Sequence, residues 1–278
     1  MVNSTVKGNR PPIDSVSKSA DLMWHNQRRS MKSSASKSPK KEPMTARELL
    51  EQKVQDPEHL ASIEKRKQEI EAAVRENRKV EVPIVKELRN AGYNVDSVWG
   101  LIGLFRTTRS RYVEAVPILL RWLPRISNTD VKDTIVRVLS VPWAKEASPT
   151  LIAEFKLAPN PPSGKTSWKW AIGNAIEVLA DDEVFADISE IALDRQYARD
   201  REMFALALAK MRKHKDEAID ALIRLLDDED VAGHAVLALG KLRAKKAAPH
   251  LERFTSHPKT WVRKEAKKAL GRIQSAQR

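Results

Sequence analysis

Residues 228–273, "DEDVAGHAVLALGKLRAKKAAPHLERFTSHPKTWVRKEAKKALGRI", carry one amphipathic pattern twice. In the second copy Val262, Ala266, Ala269, Leu270 and Ile273 fall at i, i+4, i+7, i+8 and i+11, one face of an α-helix. A step back of 31 residues gives Val231, Ala235, Ala238, Leu239 and Leu242. Another 31 gives Asp200, Phe204, Ala207, Leu208 and Met211, with only the first position polar. A step of 32 reaches Trp168, Ile172, Ala175, Ile176 and Leu179. A step of 37, lengthened by the loop "APNPPSGK" (158–165), reaches Val131, Ile135, Val138 and Leu139. A weaker copy covers 94–106, where two registers fit.

Prolines supply the other half of the repeat. "VPIV" (82–85), "VPIL" (116–119), "SPTL" (148–151) and "APHL" (248–251) each place a proline two residues before an aliphatic one. Proline is tolerated in the first turn of a helix, where its missing N–H would be unpaired anyway, so each stretch reads as a helix start. Two helices in each period of 31–37 residues predict an all-α fold: a right-handed α-solenoid of about six hairpins. The pattern resembles the HEAT-repeat family, in the short form typified by the repeats of phycobilisome lyases. Residues 228–273 carry the resemblance most strongly, and it extends over about 80–274. It implies HEAT-like hairpins, and with them a family made up mostly of adaptors and scaffolds with a few enzymes.

Composition narrows the function classes. Apolar residues make up 41% of the 278, enough for a core, and there is no cysteine for disulfides, thiolate metal sites or a thiol nucleophile. No apolar run approaches the ~20 residues of a membrane span. A soluble, cytoplasmic protein without a membrane partner is expected. The +13 charge is unevenly spread. Residues 1–47 hold ten Lys/Arg against three Asp/Glu, a net of +7. Residues 181–240 hold eight against fifteen, a net of −7, and 241–278 twelve against two, a net of +10. The chain thus has an acidic band and a basic end.

Three domains are expected. Residues 1–43, rich in Ser, Pro and Lys, cannot bury enough surface to offset their ordering entropy and read as a disordered tail. Within it "DLMWHNQRRSMK" (21–32) offers a docking motif of Leu22, Met23 and Trp24 followed by Arg28 and Arg29. Met44, where composition changes, is a candidate alternative start. Residues 44–79 read as lead-in helices, one opened by a capping box of Thr45 and Glu48, a second by Asp56-Pro57-Glu58. In the second, Leu60, Ile63, Ile70 and Val74 form a thin stripe expected to pack. The solenoid follows over 80–274.

Candidate chemistry is sparse. The six histidines form no metal-binding pair, and no His-Glu dipeptide of the kind used by HEAT-type di-iron hydroxylases occurs, so no metal or cofactor is expected. "SGKT" (163–166) lacks the upstream glycine and strand of a phosphate-binding loop. Lys132, Lys169, Arg201 and Arg263 share one register and form a cationic ladder interrupted by Ala232. The ladder could track a phosphate backbone, or it could pair with carboxylates and helix-end carbonyls between units. Trp99, Trp122, Trp143 and Trp168 are expected to pack; Trp170 and Trp261 lie off the core stripe. Asp96 and Trp99 match no motif of the HEAT-type alkylpurine DNA glycosylases.

In the resembled family the second helix of each unit lines the concave face. The groove positions would be Asp133, Val136 and Arg137; Trp170, Gly173 and Asn174; Glu202, Ala205 and Leu206; Gly233, Val236 and Leu237; and Lys264, Lys267 and Lys268. A small, apolar middle ending in lysines suits a protein segment better than a phosphate backbone. The expectation is a non-catalytic scaffold binding a protein partner with an acidic portion. Arg137, Lys169, Trp170, Arg201, Trp261, Arg263, Lys264, Lys267 and Lys268 would be its contacts. Nucleic-acid binding, with or without glycosylase chemistry, is the alternative. Bilin attachment rests on the resemblance alone, and no residue supports it.

Overall fold

The computed structural model describes Thr45, residues 56–159 and residues 168–275. The tail 1–43 with Leu22, Met23, Trp24, Arg28 and Arg29, the candidate start at Met44, Glu48 of the capping box and the "SGKT" loop lie outside the described residues. The chain divides into two units, residues 1–64 and 65–278. In the first, the Asp56 carboxylate accepts a hydrogen bond from the Glu58 N–H at 3.0 Å and starts helix α1 (Pro57–Asn90), as Asp56-Pro57 predicts. Leu60 and Ile63 are exposed, and so are Ile70 and Val74 of the second unit; the expected packing of this stripe is not found among the described residues.

The described part of the second unit consists of helices joined by turns and loops, with no strand among the described residues. After α1 come α2 (Gly100–Thr108), α3 (Ala115–Trp122), α4 (Thr129–Leu139), α5 (Ser148–Leu157) and α6 (Trp168–Leu179). Then follow α7 (Phe185–Leu193), α8 (Glu202–Leu208), α9 (Lys215–Leu225), α10 (Ala232–Leu242), α11 (Ala248–Leu251) and α12 (Thr260–Ser275). Short 3₁₀ turns join several of them. Pro149 and Pro249 stand in the first turns of α5 and α11. Pro83 does not start a helix: it lies inside α1, which runs unbroken through the predicted boundary at residue 80. Proline frees the carbonyl four residues earlier, and Val82 and Pro83 are both exposed, so water can satisfy that group.

Even-numbered helices α4, α6, α8, α10 and α12 pack on one another in sequence to form an inner layer. Their odd-numbered partners α5, α7 and α9 each pack against the following even helix and form the outer layer. The periodic stripe lies between the layers. Val131, Ile135, Val138 and Leu139 of α4 are fully buried, as are Ile172, Ala175, Ile176 and Leu179 of α6 and Phe204, Ala207 and Leu208 of α8. Val262, Ala266, Ala269 and Ile273 repeat the pattern at the end. Asp200 breaks it because residues 195–201 are a 3₁₀ connector, and α8 begins only at Glu202.

Small residues bring the inner helices together. A Cβ on Gly240 would sit 2.7 Å from the Ala269 Cβ, so α10 and α12 touch through their backbones. We expect Gly240→Ala to destabilise the protein by about 1–3 kcal/mol through overpacking, although alanine favours a helix over glycine by ~1 kcal/mol. Urea unfolding followed by circular dichroism measures this; an unchanged or raised midpoint would show that the contact has slack.

Candidate functional site

Neighbouring inner helices close both flanks of α6, α8 and α10, and this decides which groove positions reach solvent. Val136, Gly173, Ala205, Leu206, Gly233 and Val236 are all buried. Gly173 lies against Met203, and the Trp261 ring covers Gly233 so closely that a Cβ there would be 2.2 Å from it. The expected apolar slot is therefore consumed by packing between successive inner helices. Asp133, Trp170, Asn174, Glu202 and Leu237 are half-buried, and Arg137, Lys264, Lys267 and Lys268 are exposed.

The cationic ladder turns inward. Arg201, 1% exposed, donates from Nη2 to the Asp228 carboxylate at 2.6 Å, from Nη1 to the Ala192 carbonyl and from Nε to the Ala198 carbonyl. Lys169, 2% exposed, holds its ammonium 5.3 Å from the Phe155 ring centroid and 4.9 Å from that of Tyr197. Burial pushes its pKa down, against the pull of Asp200. Lys132 pairs with Glu154 at 2.7 Å and lies over Trp168. Arg263 donates to the His257 and Pro258 carbonyls and to the Thr260 hydroxyl, clamping the start of α12. Lys169 and Arg201 thus depart from their expected role: a partner cannot reach charges enclosed between repeats. Arg137 is exposed but paired with Asp133 one turn back at 2.6 Å.

The tryptophans divide differently from expectation. Trp99 is 49% exposed rather than packed. Trp143 packs on Phe105 and Tyr112, its centroid 4.9 and 5.5 Å from theirs. Trp261 is half-buried because it roofs Gly233 and leans on His234, 5.4 Å between centroids. Beneath it, His234 is 5% exposed, its Nε2 without a hydrogen-bond partner and 3.9 Å from the Glu202 carboxylate. Burial, with lesser help from Arg199, Lys259 and Lys241, pushes the His234 pKa down to about 4. Burial also raises that of Glu202, which bonds Arg199 at 3.0 Å.

At the last repeat the charge turns outward. Lys264 and Lys267 are exposed with no carboxylate partner among the described residues, while Lys268 pairs with Glu265 at 2.7 Å. Lys210, Lys241 and Arg272 stand one repeat apart in a single register that the stripe analysis missed, although it lies one residue short of Met211, Leu242 and Ile273. The first two share Glu177, at 3.9 and 3.6 Å. Asp228 and Glu154, the carboxylates that hold Arg201 and Lys132, were likewise not predicted, because only the register of the folded repeats pairs them.

Two family models match the chain: "HEAT repeats" over residues 227–278 and "PBS lyase HEAT-like repeat" over 200–228. Together the two matches span residues 200–278. No curated protein matches the chain. Among solved structures it is similar to a designed armadillo repeat protein in complex with the peptide (KR)4, at 17% identity and a TM-score of 0.43, covering 81% of this chain and 98% of that one. A second designed armadillo repeat protein gives 17% identity, a TM-score of 0.41 and the same two coverages, 81% and 98%. An engineered protein from a structural genomics consortium gives 18%, a TM-score of 0.39, and 58% and 80% coverage.

The buried histidine predicts a pH dependence. His234 stays neutral in the fold down to about pH 4, whereas in the unfolded chain it takes a proton below its ordinary value of 6.5. The unfolded state therefore binds more protons, and the stability of the fold falls as pH drops from 6.5 towards 4. Glu202 works the opposite way, its raised pKa favouring the fold as pH falls. Comparing wild type with His234→Leu isolates the histidine. Between about pH 7 and about pH 5 the wild type should lose about 2 kcal/mol more than the variant, measured by urea denaturation at both pH values; parallel losses would refute it.

Proposed function

We propose that this protein is a non-catalytic HEAT-repeat scaffold that holds an acidic segment of a protein partner against the basic end of its inner layer. One observation carries the reading: Lys264 and Lys267 are exposed and have no carboxylate partner among the described residues, on a helix face continued by Lys268 and Arg272. Most other cations of the repeats have a partner inside the fold. Unpaired ammonium groups on a rigid helix attract an anionic chain at low cost, because the helix is already ordered. Half-buried Trp170, Asn174 and Leu237 offer the same chain neutral contacts further along the layer. The lack of cysteine suits a reducing compartment, and we place the scaffold in the cytoplasm.

Fluorescence anisotropy with a labelled Asp/Glu-rich peptide and the full chain tests this reading. The triple variant Lys264→Glu, Lys267→Glu, Lys268→Glu should bind at least about tenfold more weakly, from the loss of several charge pairs. Unchanged affinity would remove these lysines from the site. Duplex DNA is titrated alongside at two salt concentrations. Tight DNA binding that persists at physiological salt with a steep salt slope would replace the protein partner with nucleic acid.

A further inference from the structure

A second recess lies away from the inner layer, where the ends of outer helices α7 and α9 meet the connectors that follow them. It is a cleft of about 150 Å³ lined by Leu193, Arg195, Arg224, Leu225 and Asp228. Its floor is an ion-paired carboxylate that the Arg195 side chain, 74% exposed, reaches from the solvent side. Asp228, 8% exposed, is held from the buried side by Arg201 at 2.6 Å and from the cleft by Arg195 Nε at 3.3 Å. Arg201 alone neutralises that carboxylate, which leaves Arg195 as surplus charge. The ion pair with Asp228 engages Nε of Arg195, and its two terminal nitrogens have no hydrogen-bond partner among the described residues. Arg224 also lines the cleft, is exposed, and has no carboxylate partner among the described residues.

Neither arginine is there to cap a helix end. The carbonyls at the ends of α7 and α9 are taken by others: Ala192 O by Arg201 and Leu226 O by Arg253. Neighbouring carboxylates are also engaged, Asp194 with the Gln196 backbone and amide and Asp227 with Arg253. The connector bearing Arg195 is held in an unusual shape. Ala198 has a φ of 43°, which alanine rarely adopts, and its carbonyl is fixed by Arg201.

We propose that this cleft is a binding site for a phosphate monoester, gripped between the Arg195 and Arg224 guanidinium groups with Leu193 and Leu225 as walls. A phosphate monoester carries about −1.5 to −2 at neutral pH, which matches two surplus guanidiniums. The arginine fork suits its tetrahedral oxygens, and Asp228 sets the direction of that fork. The ester is either a free small molecule or a phosphorylated side chain of a partner. The site is independent of the acidic-segment reading, since it shares no residue with α12.

The test is a titration of the full chain with phosphoserine peptide, inorganic phosphate and sulfate, followed through the arginine side-chain N–H signals in nuclear magnetic resonance. Saturable shifts confined to Arg195 and Arg224 are expected. Arg195→Gln and Arg224→Gln should each weaken binding about tenfold or more, the loss of one charge-assisted bond, without changing the thermal midpoint. Tighter binding of the peptide than of inorganic phosphate identifies a protein side chain; the reverse identifies a free phosphate compound. Three outcomes overturn the site: no saturation by phosphoserine peptide or inorganic phosphate in the millimolar range, equal binding of sulfate, or a comparable loss in Lys264→Ala/Lys267→Ala, which leaves the cleft intact.

Discussion

Close approach between successive inner helices is the constraint on which the rest of the unit depends. An inner helix such as α8 is pressed by α7 from behind and by α6 and α10 on its flanks. Three of its four sides must therefore be apolar or small, and Met203, Phe204, Ala205, Leu206, Ala207 and Leu208 are all buried as a result. Little of such a helix remains for solvent. This is why the inner face is a narrow polar strip rather than an apolar trough, and why α12, with no neighbour on its far side among the described residues, presents most of the inner layer's exposed charge.

The same stacking explains the charge distribution. The acidic band of residues 181–240 resembles an electrostatic surface in the sequence, but the fold spends much of it inside. Asp228 receives Arg201 and Arg195, Asp182 accepts the backbone N–H groups of Arg212 and Lys213, and Glu183 and Asp220 pair with Lys213 and Lys246. Most of these contacts join residues about one repeat apart, so they bind each hairpin to the next. Exposed members contribute little, ~0–1 kcal/mol each. The enclosed Arg201–Asp228 pair differs: removing one partner would strand a buried charge at a cost of about 3–5 kcal/mol.

Periodicity made the fold legible because a 31-residue step repeats a physical requirement, the buried stripe, at positions anyone can count. It placed Val262, Ala266 and Ala269 correctly and even marked Asp200 as an exception. Proline was a weaker guide: Pro149 and Pro249 open helices, but Pro83 sits within one, since an exposed turn tolerates the lost bond. The site was less legible. A register says which residues are equivalent, not which way a long side chain bends. Arg201 and Arg263 are equivalent in sequence, yet one reaches a carboxylate in the next repeat and the other folds back onto its own helix start. Trp261 looked free because it is off the stripe; a glycine one turn into the previous inner helix gave it a seat.

Among the outward-facing cations, two groups differ in kind. Lys264 and Lys267 are point charges on flexible stems, spread over an open helix face. Such groups raise the encounter rate with an anionic chain and read its charge more than its geometry. Arg195 and Arg224 line one recess, and Nε of the first lies 3.3 Å from the Asp228 carboxylate. A planar guanidinium fork reads the geometry of an anion as well as its charge. A scaffold that carries both can separate attraction from recognition, drawing a partner by the lysine face and checking a particular group at the arginine cleft. The 31-residue repeat permits this division because each hairpin is held only by its neighbours, so one connector can depart from the common turn without disturbing the stack two repeats away.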